Sequence, residues 1–274
     1  MPTSPSTSDN GPRWYQNIGA AFIFFTRIPL WKWIQPPREA YSAVVEFWPL
    51  VGWLTGGVMA AIIYFGSMVL PYALVLIAAI VTRILLTGAI HEDGLGDFVD
   101  GFGGGGDSRE RIMSIMKDSH VGTYAVLTLI VYMALLFTTL FYMPPKTAAL
   151  AIIAADPFSK MLAGQIVQMM PYARTEAEAK NRVVYRRPSI RAGVLLAFQG
   201  LLPFAAFAYF SDINITDISI IIFVPCIVMY FMYLKIWHKL QGYTGDCCGA
   251  LFLLIELSLY LAICVTQYIS ISQL

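Results

Sequence analysis

Charge is what this sequence has least of. Lys, Arg, Asp and Glu make up 13% of its 274 residues against 58% hydrophobic ones, and ordinary soluble domains carry about 25% charged residues. That leaves too little polar surface to cover a soluble core, which excludes a water-soluble globular fold. Neither sign is in excess, with 18 basic and 17 acidic residues, so the electrostatic footprint of a nucleic-acid binder is missing. Cysteine is sparse as well. Cys226, Cys247, Cys248 and Cys264 form no CxxC pair, and the adjacent Cys247–Cys248 suits neither zinc spacing nor an easy disulfide. They read as small apolar fillers. The N-terminus has no charged region leading into an apolar one, so no signal peptide is expected. Residues 1–12, rich in Ser, Thr, Pro and Gly, are expected to be a disordered tail, and 13–274 a single integral-membrane catalytic domain.

Long apolar runs are what the chain has instead. Those able to cross about 30 Å of hydrocarbon cover approximately 50–70, 72–90, 124–143, 147–170, 192–210, 218–234 and 248–269. Pro71 and the Pro144-Pro145 pair mark tight turns between the first two pairs. The stretch 14–30 is short and ends near Arg27 and Pro29, so it reads as an interfacial helix. The expected fold is thus an all-α polytopic membrane protein, about seven transmembrane helices plus an N-terminal interfacial helix.

Lys and Arg near the span ends alternate from loop to loop. Arg13, Arg27, Lys32 and Arg38 precede the first span. Arg109, Arg111 and Lys117 occupy the second loop, Arg174 to Arg191 the fourth, and Lys235 and Lys239 the sixth. The first loop has no basic residue, the third only Lys146, and the fifth only Asp212 and Asp217. The positive-inside rule then predicts a cytoplasmic N-terminus, an external C-terminus and one cytoplasmic side shared by the basic loops.

That side also receives the acidic segment His91-Glu92-Asp93-Gly94-Leu95-Gly96-Asp97-Phe98-Val99-Asp100-Gly101. Asp93, Asp97 and Asp100 sit at i, i+4 and i+7, which places three carboxylates on one helical face. Like charges on one stripe repel, and desolvation near a membrane adds to the cost. A divalent cation is the natural counter-charge. Hard ions such as Mg²⁺ take carboxylate oxygens and share their shell with substrate phosphates. Asp97 and Asp100 offer one set of ligands, and Glu92 and Asp93 a second. Gly94, Gly96 and Gly101 are unfavourable in a helix unless something approaches closely. The run Gly103 to Gly106 reads equally as a phosphate-facing backbone or as a hinge.

Arg109, Arg111 and the Lys117-Asp118-Ser119-His120 cluster supply the cations and polar groups that a polyphosphate needs. His91 falls on the opposite face from the aspartates, which favours a structural hydrogen bond over metal ligation. In the sixth loop, Gly242-Tyr243-Thr244-Gly245-Asp246 ends on a carboxylate that reads either as an N-cap or as a second acidic element facing the first. Glu256, inside the last span, is an intramembrane functional candidate. Together these residues describe a Mg²⁺-dependent phosphoryl-group transferase working in a cytoplasm-facing active-site cavity.

The acidic segment, with Ile115-Met116-Lys117-Asp118-Ser119 and Gly122, resembles the signature of the cobalamin synthase family, the adenosylcobinamide-GDP ribazoletransferases. Phe25-Thr26-Arg27-Ile28-Pro29, Phe47-Trp48-Pro49-Leu50-Val51-Gly52 and Gly242-Tyr243-Thr244-Gly245-Asp246 extend the resemblance over nearly the whole chain. It implies a bacterial inner-membrane enzyme that joins adenosylcobinamide-GDP to α-ribazole, or its 5′-phosphate, and releases GMP with the help of Mg²⁺. On this resemblance Asp93, Asp97 and Asp100, with Glu92, would hold metal. Lys117 would contact phosphate, and Asp118 or Asp246 would activate the acceptor hydroxyl. Arg27, Gly103, Gly104, Arg109, Ser119 and Thr244 would contact substrate. The partners are these small molecules and the lipid bilayer, and a homo-oligomer is compatible with such a chain. Two departures stand out: Gly96 and Lys160 stand where Ala and Arg are expected.

Two rival readings share some features. A CDP-alcohol phosphatidyltransferase also opens on Asp-x-x-Asp-Gly, but it continues x-x-Ala-Arg, whereas Phe102-Gly103-Gly104-Gly105 follows here. A cation transporter would use Asp97, Asp100 and Glu256 as an ion path, but transporters place such charges at mid-membrane in interrupted helices.

Overall fold

The computed structural model describes residues 11–174, 184–211 and 213–272. Most of the expected tail, with Lys180, Arg182 and Asp212 of the loop analysis, lies outside the described residues. The fold is all helical, with one isolated bridge between Tyr172 and Tyr243 among the described residues. Helix α1 (Trp14–Phe25) has 12 residues. At 1.5 Å per residue it is about 18 Å long, too short to cross a bilayer. A 3₁₀ segment, Arg38–Phe47, runs directly into α2 (Trp48–Gly66). The first apolar span is therefore Arg38–Gly66, displaced toward the N-terminus from the expected 50–70.

α3 (Tyr72–Thr87) and α4 (Ile90–Gly104) meet at 86°. The expected span 72–90 stops at Thr87 because Gly88 (φ 66°) and Ala89 (φ 57°) are both left-handed. Glycine adopts that backbone freely and alanine under strain. The chain continues through α5 (Arg109–Ile115), α6 (Thr123–Phe141), α7 (Pro145–Gly164), α8 (Ile166–Met169), α9 (Ile190–Phe210), α10 (Ile215–Leu240) and α11 (Gly245–Ser272). Among the described residues six helices are long and apolar enough to span a membrane, and seven if the bent α3–α4 pair counts as one span. Pro71 and Pro144 are the N-caps of α3 and α7, as the turn reading expected.

α7 and α11 form the interior, each with 78% of its most apolar stretch buried against 17% for α10. α2 lies against α7 through Gly52 and Gly56. A Cβ on Gly52 would sit 2.8 Å from Asp156 Oδ1, and one on Gly56 3.0 Å from the Ile152 carbonyl oxygen. Small residues four apart permit this close helix contact.

Among the described residues, two ion pairs are sealed in the bundle. Arg83 Nη1 donates to both Glu256 oxygens at 2.8 and 2.7 Å, Arg83 Nη2 to the Tyr132 hydroxyl at 3.1 Å, and the Tyr260 hydroxyl to Glu256 Oε1 at 3.0 Å. Lys160 pairs with Asp156, which also accepts from Thr55 Oγ1 at 2.6 Å. Buried charges are tolerated only when paired and hydrogen-bonded in this way.

The loops separate to two ends. The α6–α7 turn, the α9–α10 loop and the C-terminal part of α11 line one cavity through Tyr142, Asn214 and Gln267. At the other end, Arg186 forms a two-pronged pair with Glu46 at 2.7 and 2.9 Å. There Lys239 binds the Gly106 carbonyl at 2.7 Å and pairs with Asp107. The loops read as basic gather at this second end.

Candidate active site

At the basic end the first turns of α4 and α11 cross. Gly94 and Gly249 permit it. A Cβ on Gly94 would lie 3.2 Å from the Asp246 carbonyl oxygen, and one on Gly249 3.2 Å from that of His91. The close approach expected of Gly94 is thus to a backbone. The crossing brings Asp93 and Asp246, 153 residues apart in sequence, to one cavity of about 250 Å³, whose walls include Trp48, His91, Arg174 and Thr244.

Asp246 does not cap α11. The Thr244 hydroxyl oxygen takes that role, accepting the Cys247 N–H at 3.3 Å. Asp246 falls in the first turn, 8% exposed, where the helix dipole favours a carboxylate. Thr244 lines the cavity as well. The adjoining loop is pinned by Ala173 N–H donating to the Tyr243 carbonyl at 2.8 Å and Tyr243 N–H to that of Pro171 at 3.0 Å. This holds Arg174, 9% exposed, at the cavity wall, with its Nη2 donating to the Met113 carbonyl at 3.4 Å. Burial pushes the Tyr172 hydroxyl up to about 12 and that of Tyr185 well above its ordinary value. Both therefore stay neutral donors at physiological pH.

The acidic stripe is helical, as its spacing predicts, but its members meet different surroundings. Asp93 is exposed at the cavity. Asp97 is half-buried and does not line it. Asp100 accepts the N–H of Gly122 at 2.6 Å and of Ala125 at 3.0 Å, and so caps α6. Glu92 is buried, and its Oε2 has no hydrogen-bond partner. Among the described residues no three His, Cys, Asp or Glu side chains gather as a metal cradle. Asp93 and Asp246 remain as two hard oxygen donors beside one arginine. That donor set fits Mg²⁺, which takes one or two carboxylates and completes its shell with water and phosphate.

The other candidates lie outside the cavity wall. Lys117, Asp118 and Ser119 are exposed in the α5–α6 loop, where Asp118 Oδ1 accepts the His120 N–H at 3.1 Å and meets its Nδ1 at 2.6 Å. This pairing lowers the Asp118 carboxyl and raises the His120 imidazole from their ordinary values. Gly103 and Gly104 belong to the last turn of α4, where an added Cβ would meet the Tyr124 ring or Ile115, so they form no phosphate-cradling loop. Arg109 donates to the Ala173 carbonyl at 2.9 Å. Arg27 packs against Gly88 at the α3–α4 corner, its N–H donating to the Leu86 carbonyl at 2.7 Å.

Sequence reasoning missed Trp48, Tyr172 and Tyr185 as cavity residues, and it weighed His91 only as structural or ligating. An aromatic residue in an apolar run carries no signal of the cavity it will face. Arg83 and Asp156 were also missed, although a lone charge in a long apolar run is a detectable signal.

The sequence profile of the cobalamin-5-phosphate synthase family matches residues 17–264. A protein of Leptospira interrogans named adenosylcobinamide-GDP ribazoletransferase is 31% identical over 252 residues, 90% of this chain and 94% of its own. Proteins of the same name from Shewanella pealeana (30% identical over 258 residues, 92% of this chain and 97% of its own) and Vibrio parahaemolyticus (32% over 249, 89% of each) are also similar. No solved structure matches. A match over nearly the whole chain, with the acidic segment and the Asp246 loop inside it, makes this protein a member of the cobalamin-5-phosphate synthase family.

Proposed function

We propose that the protein is a Mg²⁺-dependent adenosylcobinamide-GDP ribazoletransferase of a bacterial inner membrane. It would join adenosylcobinamide-GDP to α-ribazole, or its 5′-phosphate, and release GMP, with the cavity end in the cytoplasm. The observation that carries this reading is the convergence of Asp93, Asp246 and Arg174 on one cavity at the basic end of the bundle. The activity name of the full-length relatives supports it, and the positive-inside rule supports the orientation.

In this reading the acceptor hydroxyl attacks the phosphorus joined to the corrinoid arm. A new P–O bond forms, the anhydride P–O bond breaks, and GMP leaves. Asp246 takes the hydroxyl proton, because it is buried in the cavity wall whereas Asp118 is engaged with His120 in an exposed loop. Arg174 binds the departing phosphate and offsets its charge. Asp93 would hold Mg²⁺, with water and substrate phosphate completing its shell, and the ion would supply positive charge to the pyrophosphate oxygens.

The test is incubation of purified, reconstituted protein with adenosylcobinamide-GDP, α-ribazole 5′-phosphate and Mg²⁺, following GMP and the corrinoid product. Product from wild type and none from Asp93→Asn or Asp246→Asn is expected. A wild type that forms no GMP, or variants that remain fully active, would overturn the assignment.

A further inference from the structure

Residues 184–189 form no helix or strand, so no backbone ladder holds this stretch in place. Tyr185 lines the cavity, while Arg186 and Arg187 beside it are exposed. The stretch therefore has the cavity on one side and water on the other. The Tyr185 ring lies near-parallel to that of Tyr243, 14° apart with centroids at 6.4 Å, and meets Phe24 edge-on at 6.1 Å. Its hydroxyl oxygen reaches the start of α11, 3.9 Å from where a Cβ on Gly245 would stand. Asp246, the proton acceptor of the transferase reading, is the next residue.

The neighbour of Tyr185 fixes it there. Arg186 Nε and Nη2 donate to the two Glu46 carboxylate oxygens at 2.7 and 2.9 Å, and the Arg186 backbone N–H donates to the Ser42 carbonyl at 2.9 Å. A planar guanidinium gripping a carboxylate with two bonds sets direction as well as attraction. The anchor is itself held. Glu46 is buried, and its backbone carbonyl accepts from Gln199 Nε2 at 3.1 Å. Trp48, two residues further on, belongs to the cavity wall. Farther along the stretch, Gln168 Nε2 donates to the Pro188 carbonyl, which leaves Arg186 as the tether next to Tyr185.

We propose that the Arg186–Glu46 pair is a latch that holds Tyr185 against the cavity and keeps water from the reacting phosphorus, an inference that rests on the transferase reading of this cavity. A transferase that activates a hydroxyl in a hydrated site would activate water equally well. Water attacking the same phosphorus forms the P–O bond in place of the acceptor, gives its proton to Asp246, breaks the same anhydride bond and releases GMP. The other product is then a corrinoid phosphate with no nucleotide attached. Closing a site against water suppresses this kind of side reaction. Arg186 and Glu46 touch no substrate in this reading. They are positioning residues, acting through the Tyr185 ring.

The experiment follows the corrinoid products from adenosylcobinamide-GDP and α-ribazole 5′-phosphate in reconstituted protein, for wild type, Arg186→Met, Arg186→Lys and Tyr185→Ala. The share of corrinoid phosphate per GMP released should rise about tenfold in Arg186→Met and Tyr185→Ala. It should rise less in Arg186→Lys, which keeps the charge without the two-pronged grip. A merely structural role would lower the amount of active protein and leave this share unchanged. Cys248, a free thiol that lines the same cavity, gives a second readout that needs no turnover. Its labelling by N-ethylmaleimide, assigned by tandem mass spectrometry, should speed up about tenfold in the same two variants as the wall opens. In wild type, labelling should at least double between about 0.1 M and about 1 M NaCl, where the screening length falls from about 10 Å to about 3 Å, a comparison that needs no variant to fold. Product share and Cys248 labelling both at wild-type level in Arg186→Met and Tyr185→Ala overturn the proposal. A wild type that releases no GMP refutes the transferase reading, and Cys248 labelling then still decides whether the latch closes the cavity.

Discussion

Deleting one partner of the Arg83–Glu256 pair should damage the fold far more than deleting both. In Glu256→Leu, a guanidinium that is 3% exposed loses two bonds of 2.8 and 2.7 Å, and the Tyr260 hydroxyl loses its acceptor at 3.0 Å. Breaking a buried pair from one side costs about 3–5 kcal/mol, because the remaining charge is left uncompensated. Arg83→Met strands the carboxylate with a similar cost. The double variant Arg83→Met/Glu256→Leu buries no charge. It strands only the Tyr132 and Tyr260 hydroxyls, at about 1–3 kcal/mol for each that stays unsatisfied. With each single near the middle of its range, the coupling between the two sites should therefore be about 4 kcal/mol. Reversible unfolding in mixed micelles with increasing SDS fraction reads each stability, and a double-mutant cycle isolates the coupling. Losses that add within about 0.5 kcal/mol would falsify the argument that this pair is a single unit. Glu256 is ten residues, roughly 15 Å, along α11 from Asp246. GMP release per folded molecule should therefore change only a few-fold.

Asp246→Asn should lower the rate of GMP release by at least about 10² if it removes the proton acceptor. Asp118→Asn should stay within about threefold, and the ratio of the two rates in one assay decides between them. His120 should titrate above the ordinary imidazole value of about 6.5, because the Asp118 carboxylate holds its proton. Proton NMR should show that value falling in Asp118→Asn. The sign is fixed by both partners. The raised His120 makes the contact complete below the ordinary imidazole value and loses it as pH rises through the raised one. The lowered Asp118 loses it as pH falls through its own depressed value. Asp100→Ala should cost about 1–2 kcal/mol by uncapping α6. Hydrogen exchange at the Gly122 and Ala125 amides should speed up, and protection equal to wild type would contradict the capping role.

Several features of this fold were readable because their signals are local. Apolar runs gave the spans, Pro71 and Pro144 gave two turns, and the Lys and Arg distribution sorted the loops to two ends. The corner between α3 and α4 was hidden because Ala89 and Ile90 continue the apolar run past it. Nothing in composition marks Ala89 as left-handed. The Arg83–Glu256 pair, 173 residues apart in sequence, could not be read, since each residue alone shows only an isolated charge in hydrocarbon.

The acidic stripe shows where periodicity stops being informative. The i, i+4, i+7 spacing correctly placed Asp93, Asp97 and Asp100 on one helix, but a helical face says nothing of what stands opposite it. In α4 the facing partner changes along the helix. Near its start the glycine pair Gly94 and Gly249 lets α11 close in and turns Asp93 toward the cavity. Two turns later the first residues of α6 claim Asp100 for their unpaired N–H groups. That second contact also bounds the Lys117–Ser119 loop. Asp100 ties Gly122 to α4, and in the loop before that anchor Lys117 and Asp118 are exposed, outside the wall that Asp246 lines. A carboxylate that looks like a ligand in sequence thus also anchors the start of α6.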